Sequence, residues 1–541
     1  MVVANLAPVM LVFLVSWLPL GFCVDPTVNL TYGQYIGQPL INGVTQWLGI
    51  RYAAPPVGNL RFKPPRNPPR YSAPQDAKAH GKLCLATRDS PANPSTSEDC
   101  LFLDVYAPSN ATSLSKLPVF FFLQGGGFNR NANPNLNGSG LIMASQSSMI
   151  VVTSNYRVGP YGFLTDGKDV VANNGLRDQR KALEWVQKYI SRFGGDPDHV
   201  VLGGASAGAA SISLHLTADG GKDRGLFHAV AAESVSFATV LTVKESQYQY
   251  ENFAIQLGCA GNVSLACLRS KSAYELQSLN SNMPYPGSRS SPIFMFNPVL
   301  DNDFISDLTY SAFREGNFIK VPAIYGDDTN GGTVFAPSDT STLGQSNQFI
   351  KNQFPFISLE QLGSLNEFYP NPNQTSCPAI GCWWRQSSNV YGEMRYMCPG
   401  LFISNAIKRH GVDASYAYRW NVEDEDQMKA GLGVPHTVEL NALFGPFNVQ
   451  GDVPASYFPN AANGHAVPVI QGYWTSFIRS YDPNKYRCCG AAAWQPWSEQ
   501  TRERLLFDTG GRTTMEPIDD GLRERCQYLE RIGTRTRKRC D

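Results

Sequence analysis

His199-Val200-Val201-Leu202-Gly203-Gly204-Ala205-Ser206-Ala207-Gly208-Ala209-Ala210-Ser211-Ile212-Ser213-Leu214-His215-Leu216 decides how this chain is read. Its first five residues are a short apolar run ended by glycine, which predicts a buried strand over His199–Gly203. Ala209–Leu216 reads as a helix. Between them lies Gly204-Ala205-Ser206-Ala207-Gly208, a serine flanked by glycines at the spacing of a nucleophile elbow. A strand that reverses into a helix over so few residues leaves room only for small side chains, and it holds the serine at the tip of the turn. The helix behind it aims its N-terminal amides at any negative charge that develops beside Ser206. A glycine-rich turn without chemical use can carry the same five residues, but a strand before and a helix after single this one out.

Upstream, Pro118-Val119-Phe120-Phe121-Phe122-Leu123 reads as another buried strand and runs into Gln124-Gly125-Gly126-Gly127-Phe128. Backbone approaches a ligand closely only where side chains are absent, so the amides of Gly126 and Gly127, with that of Ala207, are candidate donors to an oxyanion. Met149–Ser154 and Ser415–Asn421 are further strand candidates, and Asn174–Phe193 is helical by the spacing of its apolar residues. Strands that alternate with helices predict an α/β fold, a large and mostly parallel central sheet with helices on both faces. Ligands of such sheets bind at the carboxyl ends of the strands.

The chain has 541 residues and equal numbers of acidic and basic side chains. No repeat, low-complexity tract or linker interrupts it, so residues 24–541 are read as a single domain. The zero formal charge, with no basic run before Arg535, Arg537, Lys538 and Arg539, argues against nucleic acid as a partner. Residues 1–23 are expected to be a secretory signal peptide, with an uncleaved anchor helix as the alternative because no Lys or Arg precedes the apolar run: Leu6–Leu20 is apolar, short for a membrane span and broken by Pro8 and Pro19, and small residues follow at Gly21–Val24. No later stretch is long enough to insert stably in a bilayer, so a secreted or secretory-lumen protein is expected. Five N-x-[ST] sequons, at Asn29, Asn110, Asn137, Asn262 and Asn373, are candidate glycosylation sites. The twelve cysteines lack the paired C-x-x-C spacing of a zinc site, and disulfides are expected instead; no metal and no cofactor is called for. If Cys23 leaves with the signal, an odd number remains.

Several ordered motifs, Gly49-Ile50-Arg51-Tyr52-Ala53-Ala54-Pro55-Pro56-Val57-Gly58, Glu98-Asp99-Cys100-Leu101-Phe102-Leu103-Asp104-Val105, Asn155-Tyr156-Arg157-Val158-Gly159 and the elbow, together resemble the type-B carboxylesterase/lipase family of the α/β-hydrolase fold, in particular its secreted fungal members. The resemblance implies a serine ester hydrolase with Ser206 as nucleophile, His436 as base, Gly126, Gly127 and Ala207 as oxyanion donors, and disulfides Cys84–Cys100 and Cys259–Cys267. His436 lies in Gly433-Val434-Pro435-His436-Thr437-Val438-Glu439-Leu440, a turn-rich loop after the Ser415–Asn421 strand. From there an imidazole could take the serine proton and return it to the leaving alcohol. The other six histidines, His80, His199, His215, His228, His410 and His465, are read as surface or packing residues.

The third member of the triad departs from the family. The resemblance places its acid in a stretch ending Asp-Glu-Gly-Thr, where this chain has Gly326-Asp327-Asp328-Thr329-Asn330-Gly331-Gly332-Thr333, with Gly331 in the glutamate position. A glycine cannot orient an imidazole or stabilise its cation. Three readings stay open: Asp328, or Asp327 beside it, serves as a displaced acid; the acid comes from Glu423 or Asp424; or none is used. Loss of the orienting acid in a triad lowers turnover about 10⁴-fold without abolishing it, so a slow esterase remains possible. The alternatives are a catalytically weak or inactive binding protein on the same fold, or a lipase or acyl-transfer enzyme of a biosynthetic pathway.

Two absences narrow the substrate. Residues 85–99, between Cys84 and Cys100, contain no aromatic side chain, and Ala205 precedes Ser206. The family's cholinesterases keep a tryptophan and a glutamate at these places, so a choline ester would lose its cation–π and charge contacts. The same segment is short and polar, unlike an amphipathic lid, which points to soluble small-molecule esters and away from an oil surface.

Overall fold

The apolar runs found in the sequence become the middle of one sheet because alternate side chains of each strand are buried on opposite faces. In the strand Leu117–Leu123, Val119, Phe121 and Leu123 enter one apolar core while Phe120 and Phe122 enter another. A strand covered on both sides reads as a continuous hydrophobic run, and each large apolar side chain so buried contributes roughly 1.5–3 kcal/mol. The computed structural model describes residues 26–372, 381–488 and 490–535. The predicted signal segment 1–23 and the sequon at Asn373 lie outside the described residues.

The central sheet has eleven strands, here numbered in chain order: β1 Gln38–Pro39, β2 Val44–Arg51, β3 Phe102–Pro108, β4 Leu117–Leu123, β5 Ile150–Ser154, β6 Gly195–Ala205, β7 Ala229–Glu233, β8 Ala323–Asp328, β9 Ser415–Asn421, β10 Glu503–Asp508 and β11 Arg512–Pro517. In space they run β11-β10-β9-β8-β7-β6-β4-β5-β3-β2-β1. All pairs from β10 to β5 are parallel, and the antiparallel pairs sit at the two ends. The architecture is the α/β-hydrolase fold, as expected. The strand predicted over His199–Gly203 extends as β6 to Ala205, directly to the serine.

Helix α1, Asn174–Tyr189, packs Leu176, Leu183, Trp185 and Val186 with Val119, Val200 and Leu202 on one face. On the other face helix α5, Ala466–Ser480, packs Ile470, Trp474 and Phe477 with Phe120, Phe122 and Val201. Four further elements reach the site: helix α2, Ala207–Thr217, which follows β6; helix α3, Trp384–Gly392; helix α4, Cys398–Arg409; and the C-terminal helix α6, Asp520–Arg535. Between α3 and α4 the chain makes one π-helical turn, Glu393–Met397. Disulfides join Cys84 to Cys100, Cys259 to Cys267 and Cys398 to Cys526; Cys488 is free and exposed. No helix among the described residues is long and apolar enough to cross a membrane.

Candidate active site

Ser206 stands alone between β6 and α2 with φ 56° and ψ −117°. A side chain in this sparsely populated region costs about 1–3 kcal/mol and persists only where its surroundings over-determine it. The glycines do so here. A Cβ on Gly204 would lie 2.8 Å from the Gly208 carbonyl carbon, and one on Gly208 would lie 2.0 Å from the Leu123 carbonyl oxygen. The Ser206 amide donates to the Glu233 carbonyl at 2.9 Å, tying the turn to the end of β7.

The three-glycine loop lies against this turn. A Cβ on Gly125 would come within 3.0 Å of the Ser206 Cβ. Gly126 and Gly127 have φ of 112° and 60°; side chains there would strike the Arg130 carbonyl at 2.1 Å and the Phe294 ring at 2.4 Å. Buried Asn129, which the sequence reading did not select, holds the loop. Its Nδ2 donates to the carbonyls of Gly127 (2.6 Å) and Phe296 (2.7 Å), and its Oδ1 accepts from the Phe296 amide (3.0 Å). Ala207 is fully buried at the start of α2.

The loop bearing His436 is pinned to the end of β8. Val434 and Asn330 exchange two hydrogen bonds, of 2.9 and 3.0 Å, and the Thr437 amide donates to Asp328 Oδ2 at 2.7 Å. The imidazole is packed between aromatic rings: Tyr396 lies 4.1 Å away, centroid to centroid, at an interplanar angle of 32°, and Phe335 lies 5.2 Å away at 64°. Both ring nitrogens are shielded from water and neither has a hydrogen-bond partner. Burial, and after it the positive charge of Arg395, pushes the His436 pKa down to about 3.

None of the carboxylates considered from the sequence orients this ring. Asp328 does not: its Oδ2 accepts from Ser234 Oγ (2.8 Å) and the Thr437 amide (2.7 Å), and its carboxyl group also meets that of Glu439. As the last residue of β8 it points into a buried carboxyl cluster with Glu439 and Glu233, two residues that the sequence reading passed over. Tyr418 donates to Glu439 at 3.1 Å and Trp474 to Glu233 at 3.2 Å. Burial raises the pKa of all three, and the charge of Glu439 adds to the rise at Asp328 and Glu233. Burial and the neighbouring carboxylate thus favour the protonated form of Asp328, which weakens it as a counter-ion for an imidazolium. Asp327 faces Arg504, 4.0 Å away; Asp424 caps a helical turn by accepting from the Asp426 and Gln427 amides; Glu423 is exposed.

Gly331, by contrast, is in the right place and lacks the side chain. A Cβ there would lie 3.9 Å from His436 Nδ1, 3.6 Å from the Tyr396 ring and 3.7 Å from the Asp328 carbonyl, all ordinary contacts. A cavity of about 30 Å³ adjoins it. Five other histidines are engaged locally, with Asp104 (His80), the Ile478 carbonyl (His199), Gln179 (His215), the Val200 amide (His228) and the Arg314 carbonyl (His410).

An apolar cavity of about 140 Å³ is lined by Phe128, which follows the three glycines, by Ala210 and Leu214 of α2, by Phe237, and by Leu529 and Ile532 of α6; Ser206 and His436 are not among its lining residues. Of the sequons, Asn29, Asn110 and Asn262 are exposed, and Asn137 is half-buried with its Oδ1 accepting from the Ser139 amide.

Comparison with known proteins agrees with this fold. The family model described as "Carboxylesterase family" matches residues 24–527. The chain is 26% identical to "Secreted lipase 4" of Gibberella zeae, over 94% of this chain and 91% of that protein. It is 28% identical to "Para-nitrobenzyl esterase" of Bacillus subtilis, over 89% and 94%, and 32% identical to "Lipase 1" of Geotrichum candidum, over 71% and 78%. The crystal structure of Aspergillus niger EstA superimposes with a TM-score of 0.90 at 40% identity, covering 94% of this chain and 98% of that one.

Proposed function

The chain belongs to the carboxylesterase family and is a carboxylic ester hydrolase, and on that premise we propose that it works through an acyl-enzyme on Ser206, with His436 as base and no orienting acid. The observation that carries this reading is Ser206 at the strained elbow under the three-glycine loop. Ser206 Oγ attacks the ester carbonyl carbon and gives its proton to His436. The amides of Gly126, Gly127 and Ala207 receive the oxyanion, and the imidazolium returns the proton to the departing alcohol. Water then cleaves the acyl-enzyme by the same steps. Among the described residues no carboxylate pairs with His436, so this site turns over slowly, by up to about 10⁴-fold relative to a complete triad.

The apolar cavity, which reaches α2 at Ala210, one helical turn after Ser206, is of a size for an acyl or alcohol chain of a small-molecule ester, and the short Cys84–Cys100 segment favours soluble esters over emulsions. Secretion is part of the proposal, supported by the disulfides, by the exposed sequon asparagines and by the similarity to a protein named as a secreted lipase. A fluorophosphonate probe should label wild-type protein at Ser206 and leave Ser206→Ala unlabelled. p-Nitrophenyl esters should be hydrolysed with no rise in rate on emulsified triolein. Folded protein that takes no label would refute the assigned nucleophile.

A further inference from the structure

The π-helical turn Glu393–Met397 presents both Tyr396 and Arg395 to the site, and such turns recur where function calls for irregular backbone. Arg395 is 3% exposed. Its Nε donates to Ser236 Oγ at 2.9 Å; the phenols of Tyr396 and Tyr391 lie within interaction range of the guanidinium, but the buried Nη2 makes no hydrogen bond of good geometry. Its remaining neighbours are aromatic. The guanidinium lies 5.4 Å from the Phe294 ring and 5.7 Å from the Tyr391 ring, and the phenols of Tyr391, Tyr396 and Tyr285 surround it. Among the described residues no carboxylate pairs with it. π faces attract a guanidinium but do not replace a counter-ion, and a buried cation without one is costly.

This cation belongs to the site. Phe294 is the ring that covers Gly127, Tyr396 packs on His436, and the charge of Arg395 opposes protonation of the imidazole. Ser236, which accepts from Arg395, and Met394, next to it in the chain, line the apolar cavity that reaches Ala210 of α2. Phe335, packed on His436, also lines a surface pocket of about 410 Å³ together with the exposed Arg88 and Arg130 and with one acidic side chain, Asp339. Neither arginine is in an ion pair within 4 Å among the described residues, although Arg130 lies close enough to Asp89 to act on its charge.

We propose that the ester taken by this site carries a free carboxylate, bound by Arg395. The inference rests on the reading of Ser206 and His436 given above. The carboxylate fills the open Nη2 and neutralises the charge that opposes the imidazolium, so the substrate itself supplies part of the compensation that Gly331 withholds. The covalent step is unchanged: the Ser206 Oγ–carbonyl bond forms, the ester C–O bond breaks, and the serine proton passes through His436 to the leaving alcohol. The carboxylate keeps its charge throughout.

Two matched pairs test this on wild-type protein: mono-p-nitrophenyl adipate against its methyl-capped diester, and 4-acetoxybenzoate against its methyl ester. In at least one pair the charged member should have a kcat/KM about tenfold or more above the neutral one, and Arg395→Gln should bring that ratio near one while Arg395→Lys retains part of it. Equal or reversed preference in both pairs, in protein that labels at Ser206, overturns the inference and leaves the hydrolase standing. Binding of monomethyl adipate to Ser206→Ala, followed by calorimetry, needs no turnover. It should be detectable and lost on adding Arg395→Gln, and no binding to folded Ser206→Ala also overturns the inference. Absence of both labelling and hydrolysis would count against the reading of Ser206 instead.

Discussion

At the scale of single residues, Gly331 is the position with the largest leverage. There is room for a Cβ, with the nearest atoms at 3.6 Å or more and His436 Nδ1 at 3.9 Å, and a small cavity adjoins the position. Gly331→Glu is therefore expected to raise kcat on p-nitrophenyl esters by about 10²-fold or more, within the roughly 10⁴-fold that an orienting acid is worth. The pH dependence gives an independent check. The neutral imidazole is the working base, and its pKa is depressed to about 3, so the acid limb of kcat/KM due to His436 lies far below the ordinary histidine range. A carboxylate at 331 favours the imidazolium and moves that limb upward in pH. An unchanged profile with unchanged kcat in folded Gly331→Glu would show that the ring is not limited by the missing acid.

At the scale of elements, the site is a junction of two turns, and each is held in part by groups distant in the chain. The elbow is shaped by glycines fitted against Leu123 and against one another; the oxyanion loop is shaped by Asn129, which spans to Phe296 across 167 residues of sequence. Replacing Asn129 by Ala leaves buried backbone groups unpaired, each at about 1–3 kcal/mol, and frees the Gly127 amide from its aim. The expected result is a fall in kcat of about 10²-fold, the value of one oxyanion donor, with KM little changed and a lower Tm. A lower Tm with kcat intact would mean that Asn129 serves the fold alone.

At the scale of the whole molecule, helix α6 closes the apolar cavity and is tied to α4 by Cys398–Cys526, which are 128 residues apart in sequence. A loop of that length gives a chain-entropy stabilisation of about 5 kcal/mol at most. Cys398→Ser with Cys526→Ser should therefore lower stability to denaturant by about 3–5 kcal/mol. It should also raise KM selectively for esters with longer chains, because Leu529 and Ile532 lose their tether. Chemical denaturation and a chain-length series of KM values check the two halves separately. A uniform KM change across the series would sink the second.

The sequence by itself determined the parallel sheet, the elbow, the glycine loop and the vacancy at 331. Each is written in consecutive residues: an apolar run buried on both faces, small residues where backbone must approach backbone, and a missing side chain in a recognisable stretch. It did not determine what surrounds His436. Asp328 reads as a plausible acid because it ends a strand near the right place, yet the register of β8 turns it toward Ser234, Thr437 and the Glu439 cluster. Arg395, Tyr396, Asn129 and Glu233 reach the site from segments far apart in the chain, and nothing local marks them. Only the tertiary structure decides burial and pairing, and these two quantities separate a carboxylate that can hold an imidazole from one kept neutral, and a guanidinium with a counter-ion from one without.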